Sequence, residues 1–120
     1  MVTRSNIAYK TPEGKIRSIY SHWDGYPEGV GATLKENYTD LSKVEALIEL
    51  GAISELGSEL GYPTTVAYYR DLHQKSLDID EYDSIEDWLS DMEAYAYLYT
   101  ENGWLIVARH DDRYPELVQY

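Results

Sequence analysis

Ala94-Tyr-Ala-Tyr-Leu-Tyr-Thr-Glu-Asn-Gly-Trp-Leu-Ile-Val-Ala-Arg109 is the stretch that decides the fold. Tyr95, Tyr97 and Tyr99 alternate with Ala94, Ala96 and Leu98, the two-residue period of a strand. Glu101-Asn-Gly103 then brings the Asn-Gly pair favoured in tight hairpin turns, and residues 104–109 form the partner strand. A connection this short requires antiparallel pairing.

Working outward, Ser84-Ile-Glu-Asp87 reads as a helix start, with the Ser84 hydroxyl as cap and carboxylates in the positive first turn. That helix turns Ile85, Trp88, Leu89 and Met92 inward. Residues 71–83 are polar and acidic, and read as a loop whose end is partly extended. Residues 64–70 are rich in β-branched and aromatic side chains and read as a middle strand, while 52–61 form a connector carrying Ile53, Leu56 and Leu60. Leu41, Val44, Leu47 and Ile48 fall at helical spacing behind Thr39-Asp40, either of which can cap, and Gly51 is the expected stop. A preceding helix runs from about Val30 to Tyr38. At the N-terminal end, residues 3–10 and 15–22 are strands joined by the turn Thr11-Pro-Glu-Gly-Lys15. Residues 110–120 read as a turn around Asp111-Asp112 and Pro115, then a short tail. These elements predict an α+β domain: an antiparallel sheet of about five strands, two hairpins plus a middle strand, with two or three helices packed on one face.

At 120 residues the chain fits a single domain, 1–120, able to bury its own core. An apolar fraction of 43% with 27% charged residues is that of a folded rather than a disordered chain. No apolar run reaches membrane-spanning length and the first residues lack the apolar core of a signal peptide, so an intracellular protein with no membrane partner is expected. With no cysteine, disulfides, thiolate metal sites and thiol nucleophiles are excluded. Thirteen tyrosines and three tryptophans stand beside no phenylalanine. Each tyrosine hydroxyl wants a polar partner, so several of these rings belong at the edge of the core or on a binding surface.

The formal net charge is −12, from ten Lys plus Arg against twenty-two Asp plus Glu. Such a chain disfavours direct contact with a nucleic-acid backbone and favours basic partners. The charge is concentrated: residues 1–60 hold six basic and nine acidic residues, residues 61–120 four and thirteen. Asp78, Asp80, Glu81, Asp83, Glu86, Asp87, Asp91 and Glu93 fall within sixteen residues that contain no base. Together with Tyr95, Tyr97 and Tyr99 they form the candidate partner-binding surface, carboxylates imitating phosphate spacing and tyrosines adding contact area. The bland alternative is a solvated acidic face that confers solubility.

Residues 18–31, Ser-Ile-Tyr-Ser-His-Trp-Asp-Gly-Tyr-Pro-Glu-Gly-Val-Gly, form the densest local motif. His22 and Asp24 could aim an imidazole and a carboxylate at one metal, but a third ligand is not legible, and a structural role for both is the competing reading. Gly25, Gly29 and Gly31 match neither the dinucleotide fingerprint nor the P-loop and read as turn and packing glycines. His22, His73 and His110 are the only candidate bases, and no nucleophile elbow is present. Paired acids such as Asp111 with Asp112 read as solvated, and Asp78-Ile-Asp80-Glu-Tyr-Asp83 lacks the spacing of a calcium loop. A non-enzymatic protein without cofactor or metal is expected.

Ile19-Tyr-Ser-His-Trp-Asp-Gly-Tyr-Pro27, with Gly29-Val-Gly31, Lys43-Val44, Leu47-Ile48 and Leu50-Gly51, resembles a family of small phage and prophage proteins with a pattern like Ile-Tyr-Cys-His-Trp-Asp-Gly-Tyr-Pro before a helix pair. Ser21 stands where that pattern has cysteine, and the similarity spans residues 7–57. The resemblance implies a mobile-element protein in a bacterial cytoplasm. By analogy with small acidic inhibitors such as anti-CRISPR and anti-restriction proteins, it implies a basic nucleic-acid-binding host protein or complex as partner. The second reading is a small enzyme or a metal- or ligand-binding module at His22 and Asp24; a third is a structural or regulatory oligomer.

Overall fold

A computed structural model describes residues 2–109 and 118–120. Strands β1 (Ser5–Lys10) and β2 (Ile16–Ser21) form the N-terminal hairpin, with Ile7 opposite Ile19. A single wide turn, Pro27–Gly31, leads into helix α1 (Ala32–Asn37), and α2 (Leu41–Ile48) follows. Asp40 caps α2 by accepting the Lys43 backbone N–H at 2.9 Å. Then come β3 (Ile53–Glu55), β4 (Val66–Ala67), α3 (Tyr68–Leu72), β5 (Asp80–Tyr82) and α4 (Ile85–Ser90). Strands β6 (Tyr95–Thr100) and β7 (Gly103–Ala108) form the second hairpin, and β8 (Val118–Gln119) pairs antiparallel with β7.

The α+β class holds, but the sheet is mixed rather than antiparallel. Its order is β4-β3-β2-β1-β6-β7-β8, and β5 pairs with the start of β2. Each hairpin is antiparallel inside, as its short turn requires, yet the hairpins meet through β1 and β6, which run parallel with Ile7 beside Tyr97. Parallel neighbours need a long crossover, and the chain between β2 and β6 supplies it. Strand β3 is likewise parallel to β2, reached through α1 and α2. The strand count exceeds five because β3, β5 and β8, each two or three residues long, are too short for a sequence period to reveal.

The described residues hold four α-helices rather than two or three, and they lie on both faces rather than one. Ile7, Tyr9, Ile19, Tyr97 and Trp104 pack with Leu34, Tyr38, Val44, Leu47 and Ile48 from the α1–α2 side. On the other face Ala8, Ile16, Ala96, Leu98 and Val107 pack with Trp88, Leu89 and Met92. The central strands are apolar on both sides, Ile7-Ala8-Tyr9 and Ala96-Tyr97-Leu98 being buried without a break, which demands cover on both sides. Small Ala8 and Ala96 share their cluster with the Trp88 indole, whose Nε1–H donates to Ser18 Oγ at 3.0 Å.

The expected strand at 64–70 is also corrected. Only Val66–Ala67 is extended, and Tyr68–Leu72 is helical. The Asp71 carboxylate accepts the Ala67 N–H at 2.8 Å and holds Arg70, so side-chain bonding closes a helical turn against the β propensity of the tyrosines. The expected turn around Asp111-Asp112 and Pro115 lies outside the described residues, and the expected tail carries strand β8, laid against β7.

Candidate functional site

The carboxylates of the acidic run have two kinds of environment. Strand β5 is laid against β2, with Glu81 beside Arg17 and Asp80 beside Ser18. Lys15 Nζ lies 3.2 Å from Asp83 and 3.8 Å from Glu81, and Arg17 reaches Glu81 at 3.7 Å while holding Glu49 at 3.0 Å. Glu81 and Asp83 are therefore already compensated and help to dock β5. Asp78, Asp80, Glu86, Asp87, Asp91 and Glu93 have, among the described residues, no cationic group within 4.0 Å.

Local chemistry orders this acidic edge. The Ser84 hydroxyl accepts the Asp87 N–H at 3.1 Å, fixing the start of α4. Glu86 and Asp87 then sit in its first turn, exposed, where the helix dipole favours carboxylates. Trp88 and Leu89 anchor the inner side of the helix. The Tyr82 hydroxyl donates to Asp91 at 3.1 Å, tying β5 to the end of α4. Shielding from water, with Asp78 and Asp91 nearby, raises the Asp80 carboxyl above its ordinary value. Shielding also pushes the Tyr82 phenol up to about 12, with Asp80, and Asp91 as its acceptor, adding to the effect. The neighbouring carboxylates of Asp78 and Asp91 thus add to the cost that shielding places on ionising Asp80.

The tyrosines do not join this surface. Tyr95, Tyr97 and Tyr99 project to the face covered by α1 and α2, whereas α4 covers the opposite face. Tyr97 is 0% exposed and its hydroxyl donates to the Gly25 carbonyl at 2.8 Å, so it is a core residue and no contact surface. Tyr99 donates to the Thr39 carbonyl at 3.2 Å, and Tyr95 packs half-buried against the same core. The alternation that identified the strand gives no sign of which face is covered, and this divides the predicted surface in two.

The 18–31 motif forms a corner. Its chain continues along β3, the His22 N–H donating to Ile53 O and the Trp23 N–H to Ser54 O, each at 3.1 Å. The Gly25 N–H then donates to the Thr3 carbonyl at 2.9 Å. His22 Nδ1 lies 2.7 Å from the Tyr20 hydroxyl, and its ring meets Trp23 edge-on. Among the described residues no group of three His, Asp or Glu side chains converges as a metal site. The turn's amides are used internally: the Val30 N–H donates to Asp24 O, and the Gly29 N–H to Tyr26 O. They are not presented to an anion.

Sequence reasoning missed one feature of this corner. A cleft of about 280 Å³ opens beside it, lined by Trp23, Asp24, Gly29, Val30, Thr33, Glu55, Leu56 and Thr64. Glu55 and Thr64 arrive from β3 and the segment before β4, so no local spacing signals the cleft. A larger groove of about 710 Å³ lies between the two hairpin tips and the exposed Leu41. No helix among the described residues is long and apolar enough to cross a membrane. No protein-family model, curated protein or solved structure matches the chain.

Proposed function

We propose that the protein is a non-enzymatic, phage-encoded binder that inhibits a nucleic-acid-targeting defence complex of a bacterial host. It does so by placing its acidic edge in the basic groove of that complex. The reading rests on one observation: Asp78, Asp80, Glu86, Asp87, Asp91 and Glu93, carried on or beside β5 and α4, have no cationic neighbour within 4.0 Å among the described residues. Carboxylates without a cationic neighbour gain when a partner supplies cations, and their field speeds encounter. The protein works in the host cytoplasm and needs no cofactor.

The contact surface is narrower than the whole acidic run. Glu81 and Asp83 serve β5 through Lys15 and Arg17, and the three strand tyrosines serve the opposite core. The test is capture of host proteins at several salt concentrations by the native chain and by the D78N/E86Q/D87N variant. These substitutions remove charge while keeping side-chain size. Retention of a nucleic-acid-binding protein by the native chain, lost at high salt and in the variant, is expected. Equal retention by the variant, or retention indifferent to salt, refutes the proposal.

A further inference from the structure

The groove between the hairpin tips follows from the topology of the sheet. Strands β1 and β6 run parallel side by side and end at Lys10 and Thr100. From there the two chains part, one turning back into β2 on one side of the pair and the other into β7 on the opposite side. Neighbouring parallel strands whose connections leave in opposite directions open a crevice at their carboxyl ends, where ligands of such sheets bind. The groove of about 710 Å³ lies there, within the range of small-molecule sites.

Most of the surface it exposes is apolar, from Pro12, Leu41 and Tyr99. Leu41 is 47% exposed, and Tyr99 is held by its bond to the Thr39 carbonyl and edge-on against Trp104. The two lining threonines are already used within the turns: Thr11 Oγ1 accepts the Lys15 N–H at 3.1 Å, and Thr100 Oγ1 donates to the Gly103 carbonyl at 2.8 Å. Two charges remain, Lys10 on one tip and Glu101 on the other, both exposed. Neither has an opposite charge within 4.0 Å among the described residues, so they do not pair with each other.

We infer that this groove binds a free zwitterion with an apolar body, of the size of a dipeptide. Its carboxylate accepts from the Lys10 ammonium, its own ammonium donates to the Glu101 carboxylate, and its apolar side chains cover Leu41, Pro12 and Tyr99. In a free amino acid both charges sit on one carbon, whereas an extended dipeptide separates them by about 7 Å, which suits two partners on different tips. A ligand with a single charge leaves one of the two unmatched. No lining residue belongs to β5 or α4, so the site stands whether or not the acidic edge enters a basic groove.

Calorimetric titration of the whole protein with leucyl-leucine tests the inference, beside three compounds that each lack one feature. These are its N-acetyl form without the ammonium, its C-terminal amide without the carboxylate, and glycyl-glycine without the apolar body. Saturable binding of leucyl-leucine is expected, severalfold tighter than the acetyl and amide forms, as an exposed ion pair allows. It should be about tenfold or more tighter than glycyl-glycine, which buries no leucine side chain. K10Q should abolish the preference over the amide and keep that over the acetyl form, and E101Q should do the reverse. L41S should weaken leucyl-leucine severalfold. All three positions are exposed, so the variants keep the fold. No saturable binding of leucyl-leucine, equal affinity for glycyl-glycine, affinity unchanged in L41S, or either preference surviving in its own variant overturns the inference.

Discussion

Ser18→Ala tests the joint that carries the acidic helix. Ser18 Oγ, on a residue 2% exposed, accepts the Trp88 indole N–H at 3.0 Å across seventy residues of sequence. Helix α4 has only six residues, so its position depends on this bond and on the burial of Trp88 and Leu89. The substitution deletes one oxygen and leaves a buried donor without its partner, costing about 1–3 kcal/mol. Taking roughly 2 kcal/mol, and an unfolding entropy of about 2.1 cal/mol/K per residue, the midpoint should fall by about 8 °C. Urea and thermal unfolding followed by circular dichroism measure it. Trp88→Phe removes the donor, so the S18A/W88F double variant should be less destabilised than the sum of the singles by about 1 kcal/mol. A loss below about 0.3 kcal/mol for S18A, or strict additivity in the cycle, refutes the claim that this bond pins the helix.

Gly51→Ala should cost more than about 2 kcal/mol in the same assays, because φ is +78° and a Cβ would overlap the Leu77 carbonyl. Gly14→Ala, at φ +86° but in open space, should cost only about 1 kcal/mol. Asp80→Asn should raise the midpoint at pH 7. The native carboxyl is held above its ordinary 3.8, so its destabilising contribution is present above that raised value and is lost as pH falls below the ordinary one. The advantage of D80N should therefore vanish in thermal melts near about pH 3. Burial raises Tyr97 well above an ordinary phenol, and Tyr82 is pushed up to about 12. Folded-state phenols with raised values favour folding fully below about pH 10 and lose that contribution as pH climbs through their folded values. An ultraviolet titration should show a late-ionising class of tyrosines, accompanied by alkaline unfolding.

Local signals were legible where one element contains its own evidence. The second hairpin, the Ser84 cap and the Asp40 cap stand where the sequence puts them, since each depends on residues within four positions, although the turn itself is Glu101-Asn102 and Gly103 already belongs to β7. Pairing between distant segments was not legible. The extended end of 71–83 stands in Asp80-Glu-Tyr82, but its pairing with β2 shows only once Lys15 and Arg17 are set beside it, and the parallel meeting of β1 and β6 is a choice of topology. The tyrosine strand shows the same limit in the candidate site. Its period predicted a two-faced strand, but Ala96 and Leu98 face the Trp88 cluster while Tyr97 enters the other core, so both faces are covered. The acidic helix was foreseen because charge sits in the sequence itself. The Trp23 cleft was not, because Glu55 and Thr64 come from separate segments.

Competition for a basic groove tests directly whether the acidic edge occupies it. A partner captured in the salt-dependent experiment is loaded with fluorescently labelled nucleic acid, and release is followed by anisotropy as the protein is added at about 0.1 M salt. The native chain is predicted to displace the label, and D78N/E86Q/D87N to need about tenfold more protein for the same release. Binding that leaves the nucleic acid in place, or equal displacement by the variant, would show that the acidic edge does not enter the groove.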